Sequence, residues 1–368
     1  MTADRANSFD EHLGLYDPSK TYINNWDEGP FPPASFKPYE DKNEPKFEFL
    51  GIPIYSPFGI PAGPLLNSKH VKFAFEAGFD VICYKTQRNT KFLPNEFPNV
   101  LYLDIDGDLT LDRAEKPLLG MRTTEKPLEG ISITNSFGNP SLGPKFWIDD
   151  LKKALTYQKK GQLLIMSVVG TIQEGFTQED YYDDFAQAAR QAASTGIGAI
   201  EVNLSCPNVA SEGILCYTKA AVVSVCQKVK EAIGDVPLIA KFGYFSKDQE
   251  KLLEDTLKDI TPYVAAISAI NTIPAPVVDE KGNQALPGKG RLTSGICGAS
   301  IKWAGLDMVK RLNDLKAKNN WNYQIIGVGG VMKPQDFKEY RDAGADVVQS
   351  ATAAMWNIDL AEQIKAGL

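Results

Sequence analysis

Cys206 is the side chain in this sequence best suited to accept a proton near neutral pH. It stands in Asn203-Leu-Ser-Cys-Pro-Asn208, at the end of an apolar run and between two asparagines. An unperturbed thiol ionises near pH ~8.5, closer to neutrality than any hydroxyl, so it can serve as base or nucleophile. The loop that follows, 206–213, carries small residues that would let it open and close. Most free cysteines are packing residues, and that reading suits Cys83 and Cys226, which lie inside apolar periodic runs. The polar flanks of Cys206 set it apart. The chain has only two histidines, His12 and His70, so a three-histidine zinc site is excluded and a histidine-based triad is disfavoured.

Other chemically capable residues recur at the ends of apolar runs. Lys85, Asn203, Lys241, Asn271 and Thr272 each close or follow such a run. Gly327-Val-Gly-Gly330 follows the seventh run and Ala351-Thr352 the eighth. Any one of them reads as turn chemistry, because loops favour asparagine and glycine. Gathered at one end of a sheet they read as a site. The glycine turn after the seventh run, with Ser294-Gly-Ile-Cys-Gly298 upstream, suits a phosphorylated cofactor, because glycine lets backbone N–H groups approach a phosphate closely. The two strand-end lysines suit an electron-rich ring that becomes anionic on reduction.

The elements that would position these residues are short apolar runs alternating with helical patterns. The runs are 58–62, 80–84, 163–168, 198–203, 236–241, 264–270, 324–327 and 346–349. They are continuous rather than alternating, as parallel strands covered on both faces should be. In 218–233 the positions Val222, Val225, Cys226, Val229 and Ile233 mark one helical face; in 247–260 Leu252, Leu253, Thr256, Leu257 and Ile260 do so. Eight such units without a nucleotide fingerprint at the first turn predict an α/β fold of the (β/α)8 TIM-barrel kind, an open parallel sheet being the alternative. The connections 85–162 and 271–323 are longer than a plain barrel needs, and loops after strands are where barrels build sites.

Residues 1–46 contain six prolines among charged and aromatic residues, so little regular structure is expected there. Their aromatic content predicts an arm laid over the domain or a partner subunit, with the barrel occupying 47–368. The 39 basic residues fall short of the 46 acidic ones, leaving a net charge of −7, and this disfavours nucleic acid and anionic membranes as partners. The five scattered cysteines, Cys83, Cys206, Cys216, Cys226 and Cys297, form no C-x-x-C pair; no metal site is expected, and free thiols fit a reducing, cytoplasmic setting. Met1–Asp10 is polar and acidic, unlike a secretory signal, and no apolar run approaches the ~20 residues of a membrane span.

At Lys85-Thr86, Asn135-Ser-Phe-Gly-Asn-Pro-Ser-Leu-Gly143, Asn203-Leu-Ser-Cys-Pro-Asn208, Lys241, Asn271-Thr272, Ile326-Gly-Val-Gly-Gly330 and Gln349-Ser-Ala-Thr352 the chain resembles the class 1 dihydroorotate dehydrogenases, most closely class 1A. The resemblance implies FMN at the C-terminal face of a (β/α)8 barrel. Lys85, Asn203 and Lys241 would contact the flavin, and Gly295, Gly329, Gly330 and Thr352 its phosphate. Ala62, Gly63, Thr86, Ile270 and Ala351 complete the implied cofactor-binding set. Asn135, Asn203, Asn208 and Asn271, helped by Thr272, would hold the pyrimidine amides. Lys85 and the backbone of Phe137, Gly138 and Asn139 would hold the carboxylate. Cys206 would take the C5 proton as a hydride leaves C6.

Against the family pattern, Phe137, Asn139 and Ser141 stand where Met, Leu and Asn are usual, Ala351 where Gly is usual, and 103–130 reads as an insertion. The expected activity is oxidation of dihydroorotate to orotate for pyrimidine synthesis, with fumarate as acceptor, in a homodimer. The rivals are a flavoenzyme for another dihydropyrimidine and a flavin-binding barrel without turnover.

Overall fold

The computed structural model describes residues 14–41, 44–205 and 215–368. Eight parallel strands close into a barrel: β1 (Phe58–Ile60), β2 (Val81–Gln87), β3 (Leu163–Val168), β4 (Ala199–Asn203), β5 (Leu238–Phe242), β6 (Ala266–Ala269), β7 (Gln324–Val328) and β8 (Val347–Gln349). Each expected run holds one strand, with ends moved by a few residues. Helices cover them in turn: α1 (Ser68–Glu76), α2 (Pro144–Leu155), α3 (Gln178–Ala193), α4 (Lys219–Ile233), α5 (Glu250–Ile260), α6 (Lys302–Asn319), α7 (Pro334–Asp342) and α8 (Leu360–Lys365). This is a (β/α)8 barrel.

Strand parity sorts the core. Val81, Cys83, Leu163, Ile165, Ala199, Ile239, Ala266, Ile326 and Val347 fill the barrel interior. Their neighbours Ile82, Tyr84, Leu164, Met166, Ile200, Leu238 and Ile267 pack in the layer shared with the helices. Both faces are apolar, which is why the runs are continuous. A hairpin of Phe47–Phe49 and Ile52–Ile54 sends Phe49 and Ile54 into the interior cluster. At closure Gly59 lies so near β2 that a Cβ would sit 1.7 Å from the Val81 carbonyl, so only glycine fits.

The two long connections build a second sheet. Strands Ile273–Val278, Thr293–Gly298, Ser132–Asn135, Tyr102–Leu103 and Leu118–Met121 pair in that order, and the last returns to pair with the first. Most of the 103–130 segment therefore serves as sheet and sheet connection. Residues 14–41 pack against the rest of the chain, with Leu15, Tyr16 and Tyr22 buried. One helix forms there, Tyr22–Glu28, because Thr21 caps it and Gly29 and Pro30 delay until its end.

Candidate active site

The C-terminal ends of the strands and the second sheet line a concave cavity, the place where a barrel of this kind builds a ligand site. Ala62 and Gly63 line it after β1, Asn203 at the end of β4, Lys241 in β5, and Ile270, Asn271 and Thr272 after β6. Ala351 and Thr352 line it after β8, and Asn135 and Phe137 enter from the second sheet. Residues spread over nearly 300 positions thus meet because parallel strands bring their ends to one face.

Polar groups converge at the rim. Asn271 Nδ2 donates to Asn203 Oδ1 and to the Ser205 carbonyl, each at 3.3 Å. Lys241 is buried and donates to Ser268 Oγ at 3.2 Å; burial lowers its pKa, and Glu201 opposes that fall. Thr272 Oγ1 is buried with no hydrogen-bond partner among the described residues. Cys297 also lines the cavity, and burial pushes its thiol up to about 11, which unsuits it as a base.

Lys85 donates to Asn139 Oδ1 at 3.4 Å. Gly138 and Asn139 both have positive φ, +81° and +50°, so the chain turns sharply there. Arg88 clamps this turn, donating through Nε to the Asn139 carbonyl at 2.9 Å and through Nη1 to the Gly170 carbonyl at 2.8 Å. Thr86 pairs with Ser167 at 3.0 Å, one layer below the rim. Gly295 lies opposite Asn135 in the second sheet, where a Cβ would fall 2.3 Å from Thr272 Oγ1. Gly329 and Gly330 have φ of +125° and +65° at the end of β7, beside the turn of Ala351 and Thr352 after β8. Among the described residues the N–H groups of Gly330, Ala351 and Thr352 donate to no protein acceptor. Cys206 and Asn208 lie outside the described residues.

Sequence reading missed several cavity neighbours. Glu201 faces the cavity two residues before Asn203, and the period of two along a strand would have found it. Tyr16 of the arm also lines the cavity, its ring edge-on to Phe137 at 5.5 Å. No local signal announces that contact across 121 positions. His70 is fully buried in α1, away from the cavity lining.

The sequence profile of dihydroorotate dehydrogenase matches residues 122–368. A dihydroorotate dehydrogenase of Dictyostelium discoideum is 37% identical over 354 residues, 93% of this chain and 94% of that one. The catalytic subunit of dihydroorotate dehydrogenase B (NAD(+)) of Petrotoga mobilis is 33% identical over 236 residues, 64% of this chain and 72% of its own. Dihydroorotate dehydrogenase A (fumarate) of Limosilactobacillus reuteri is 30% identical over 190 residues, 49% of this chain and 54% of its own. Matches of that extent, laid over a cavity whose lining the strand ends supply, place the chain in the dihydroorotate dehydrogenase family.

Proposed function

We propose that this chain oxidises (S)-dihydroorotate to orotate with FMN as its cofactor and fumarate as final acceptor, as a homodimer serving cytoplasmic pyrimidine synthesis. The observation that carries the reading is the set of amides and one buried lysine lining the cavity: Asn135, Asn203 and Asn271 with Lys241. A pyrimidine ring alternates N–H and C=O groups, and a primary amide donates and accepts at once.

The residues fit FMN. Ile270 and Val328 offer apolar surface and Gly63 open space for a planar ring, with Lys241 and Asn203 as polar contacts. The N–H groups of Gly330, Ala351 and Thr352, which find no acceptor among the described residues, suit a phosphate. Gly329 completes that turn, with Gly295 flanking the ring side. FMN when bound supplies the hydride acceptor.

The chain's own residues do the rest. Asn135, Asn203, Asn208 and Asn271, with Thr272, hold the amide edges of the substrate and fix its face. Lys85 and the backbone at Phe137–Asn139 hold the carboxylate. Cys206 takes the C5 proton as the C6 hydride leaves. Tyr16 and Phe137 lie over the cavity and help to exclude water.

Fumarate carries two carboxylates that Lys85 and the asparagines can hold after orotate leaves, and one relative is named for that acceptor. Among the described residues no helix is long and apolar enough to cross a membrane and no cluster of three His, Cys, Asp or Glu could hold a metal. Cys83, Cys216, Cys226 and Cys297 are free thiols, which suits a reducing compartment.

The test is the flavin spectrum of purified protein under anaerobic dihydroorotate, followed by fumarate. Bleaching and then recovery is expected. Bleaching by dihydrouracil but not dihydroorotate favours a second reading, a dihydropyrimidine without a carboxylate; the Lys85–Asn139 contact, which occupies the lysine, motivates it. No bleaching by either defeats both. Reoxidation by a co-purifying NAD-linked subunit instead of fumarate removes the acceptor assignment alone, and sedimentation of the purified chain checks the dimer.

A further inference from the structure

A row of polar side chains crosses the barrel interior at the floor of the cavity, which Lys241 and Glu201 line. Lys241 Nζ donates to Ser268 Oγ at 3.2 Å, and the two residues are register neighbours on β5 and β6. Ser268 and Ser167 also stand near enough to the Glu201 carboxylate to favour its charged form. Ser167 is the register neighbour of Glu201 and bonds Thr86 at 3.0 Å. Lys241 can only donate and an ionised carboxylate can only accept, so the ionised pair would orient the hydroxyls between them towards Glu201.

Glu201 and Lys241 are 2% and 5% exposed, yet they form no direct ion pair within 4 Å; Ser268 stands between them. A buried ammonium without a counter-charge gives up its proton or leaves the interior. A lysine stem also has many rotamers, and a fixed acceptor beside it selects one. From this geometry we infer that Glu201 is a positioning residue: acting through Ser268, its carboxylate keeps the Lys241 ammonium charged and aimed at the cavity floor. Thr86 and Ser167 hold the carboxylate in place from β2 and β3. The titratable groups facing Lys241 are Glu201 on β4 and Cys83 on β2, with Lys85 further along β2. Burial raises the Cys83 thiol well above its ordinary value, so it stays neutral and supplies no counter-charge. Burial raises the Glu201 carboxyl as well, but Lys241, Ser167 and Ser268 oppose that rise, so Glu201 is the acid placed to serve as counter-ion.

The inference rests on the proposed flavin site only for what Lys241 serves; the ionisation of Lys241 can be read without it. In full-length protein labelled with 15N-lysine, the Lys241 Nζ resonance is assigned by its loss in Lys241→Arg. Glu201→Gln should lower the pH at which that resonance titrates by about one unit or more, and Ser268→Ala should shift it the same way by less. If FMN is bound, the pH profile of its absorption should show the same displaced transition in Glu201→Gln. That transition should vanish in Glu201→Gln/Lys241→Arg, because arginine keeps its charge. Titration of Lys241 at its wild-type pH in both single variants overturns the inference. Should Glu201→Gln fail to fold, Ser268→Ala decides alone, since it keeps the carboxylate and breaks only the link. A wild-type protein that purifies without flavin and takes up none defeats the flavin reading, while the lysine titration still judges Glu201.

Discussion

Asn139, where the resemblance leads leucine to be expected, stands in a turn that constrains its side chain. Its φ of +50° is a conformation asparagine tolerates and leucine resists by roughly 1–2 kcal/mol. The same residue receives Lys85 Nζ through its side chain, and its carbonyl is held by Arg88. Asn139→Leu should therefore displace the turn whose backbone N–H groups are proposed to hold the carboxylate. Orotate affinity should fall about 5- to 30-fold while the single-turnover rate of flavin reduction at saturating dihydroorotate stays similar. A collapse of that rate with unchanged affinity would contradict the assignment. Cys206 should behave in the opposite way. Cys206→Ser should leave FMN and orotate bound but slow reduction by about 10²–10⁴-fold, with partial recovery at high pH because a hydroxyl ionises far less readily. Stopped-flow absorbance measures both variants, and near-normal reduction by the serine variant at neutral pH would dismiss the thiol as base.

At the level of elements, the turn after β7 is built for glycine. A Cβ on Gly330 would lie 2.6 Å from Lys302 Cβ and 2.7 Å from its backbone nitrogen, at a φ of +65°. The start of α6 would have to move, so Gly330→Ala should cost FMN affinity about tenfold or more, measured by fluorescence titration of the apoprotein. Gly107→Ala is the control: its φ is +71°, but nothing lies within 4 Å. It should carry similar strain and leave FMN affinity unchanged. Such turns were legible in the sequence because strand ends and glycines carry local signals. All eight strands were legible too, since each is apolar on both faces. The second sheet was not, because its strands run from two to six residues and their partners lie far apart in the chain. Residues 85–162 and 271–323 read as long, site-building connections, but nothing in them announced paired strands. Glu201 was hidden for another reason: a lone acid within an apolar run looks like an exception until strand parity turns it inward beside Asn203.

For the whole molecule, the arm seals two ionisable groups whose protonation pulls stability in opposite directions. His70 is fully buried, with Gly29 of the arm packed so close that a Cβ there would lie 2.9 Å from Nε2. Burial lowers its pKa from 6.5 to about 3. Asp80 is fully buried at the start of the barrel; burial raises its carboxyl from 3.8 to about 7, against the pull of Lys365 at 2.8 Å, which also binds Asp41 of the arm. Between pH 3 and 6.5 the unfolded chain holds a proton on His70 that the folded chain lacks, so stability rises with pH by at most about 1.4 kcal/mol per unit. Between pH 3.8 and 7 the folded chain holds a proton on Asp80 that the unfolded chain has released, so stability falls with rising pH by a similar amount. Over the shared window the two slopes oppose and largely cancel. Removing either group should expose the other. Relative to wild type, His70→Gln should lose stability as pH rises from about 4 to about 6.5, and Asp80→Asn should gain it. Urea midpoints across that range measure the slopes, and the double variant should return to the wild-type slope, since the two sites share no hydrogen-bond partner. Single variants that run parallel to wild type would show that the arm leaves both groups open to water, because only burial separates their pKa values so far from the ordinary ones.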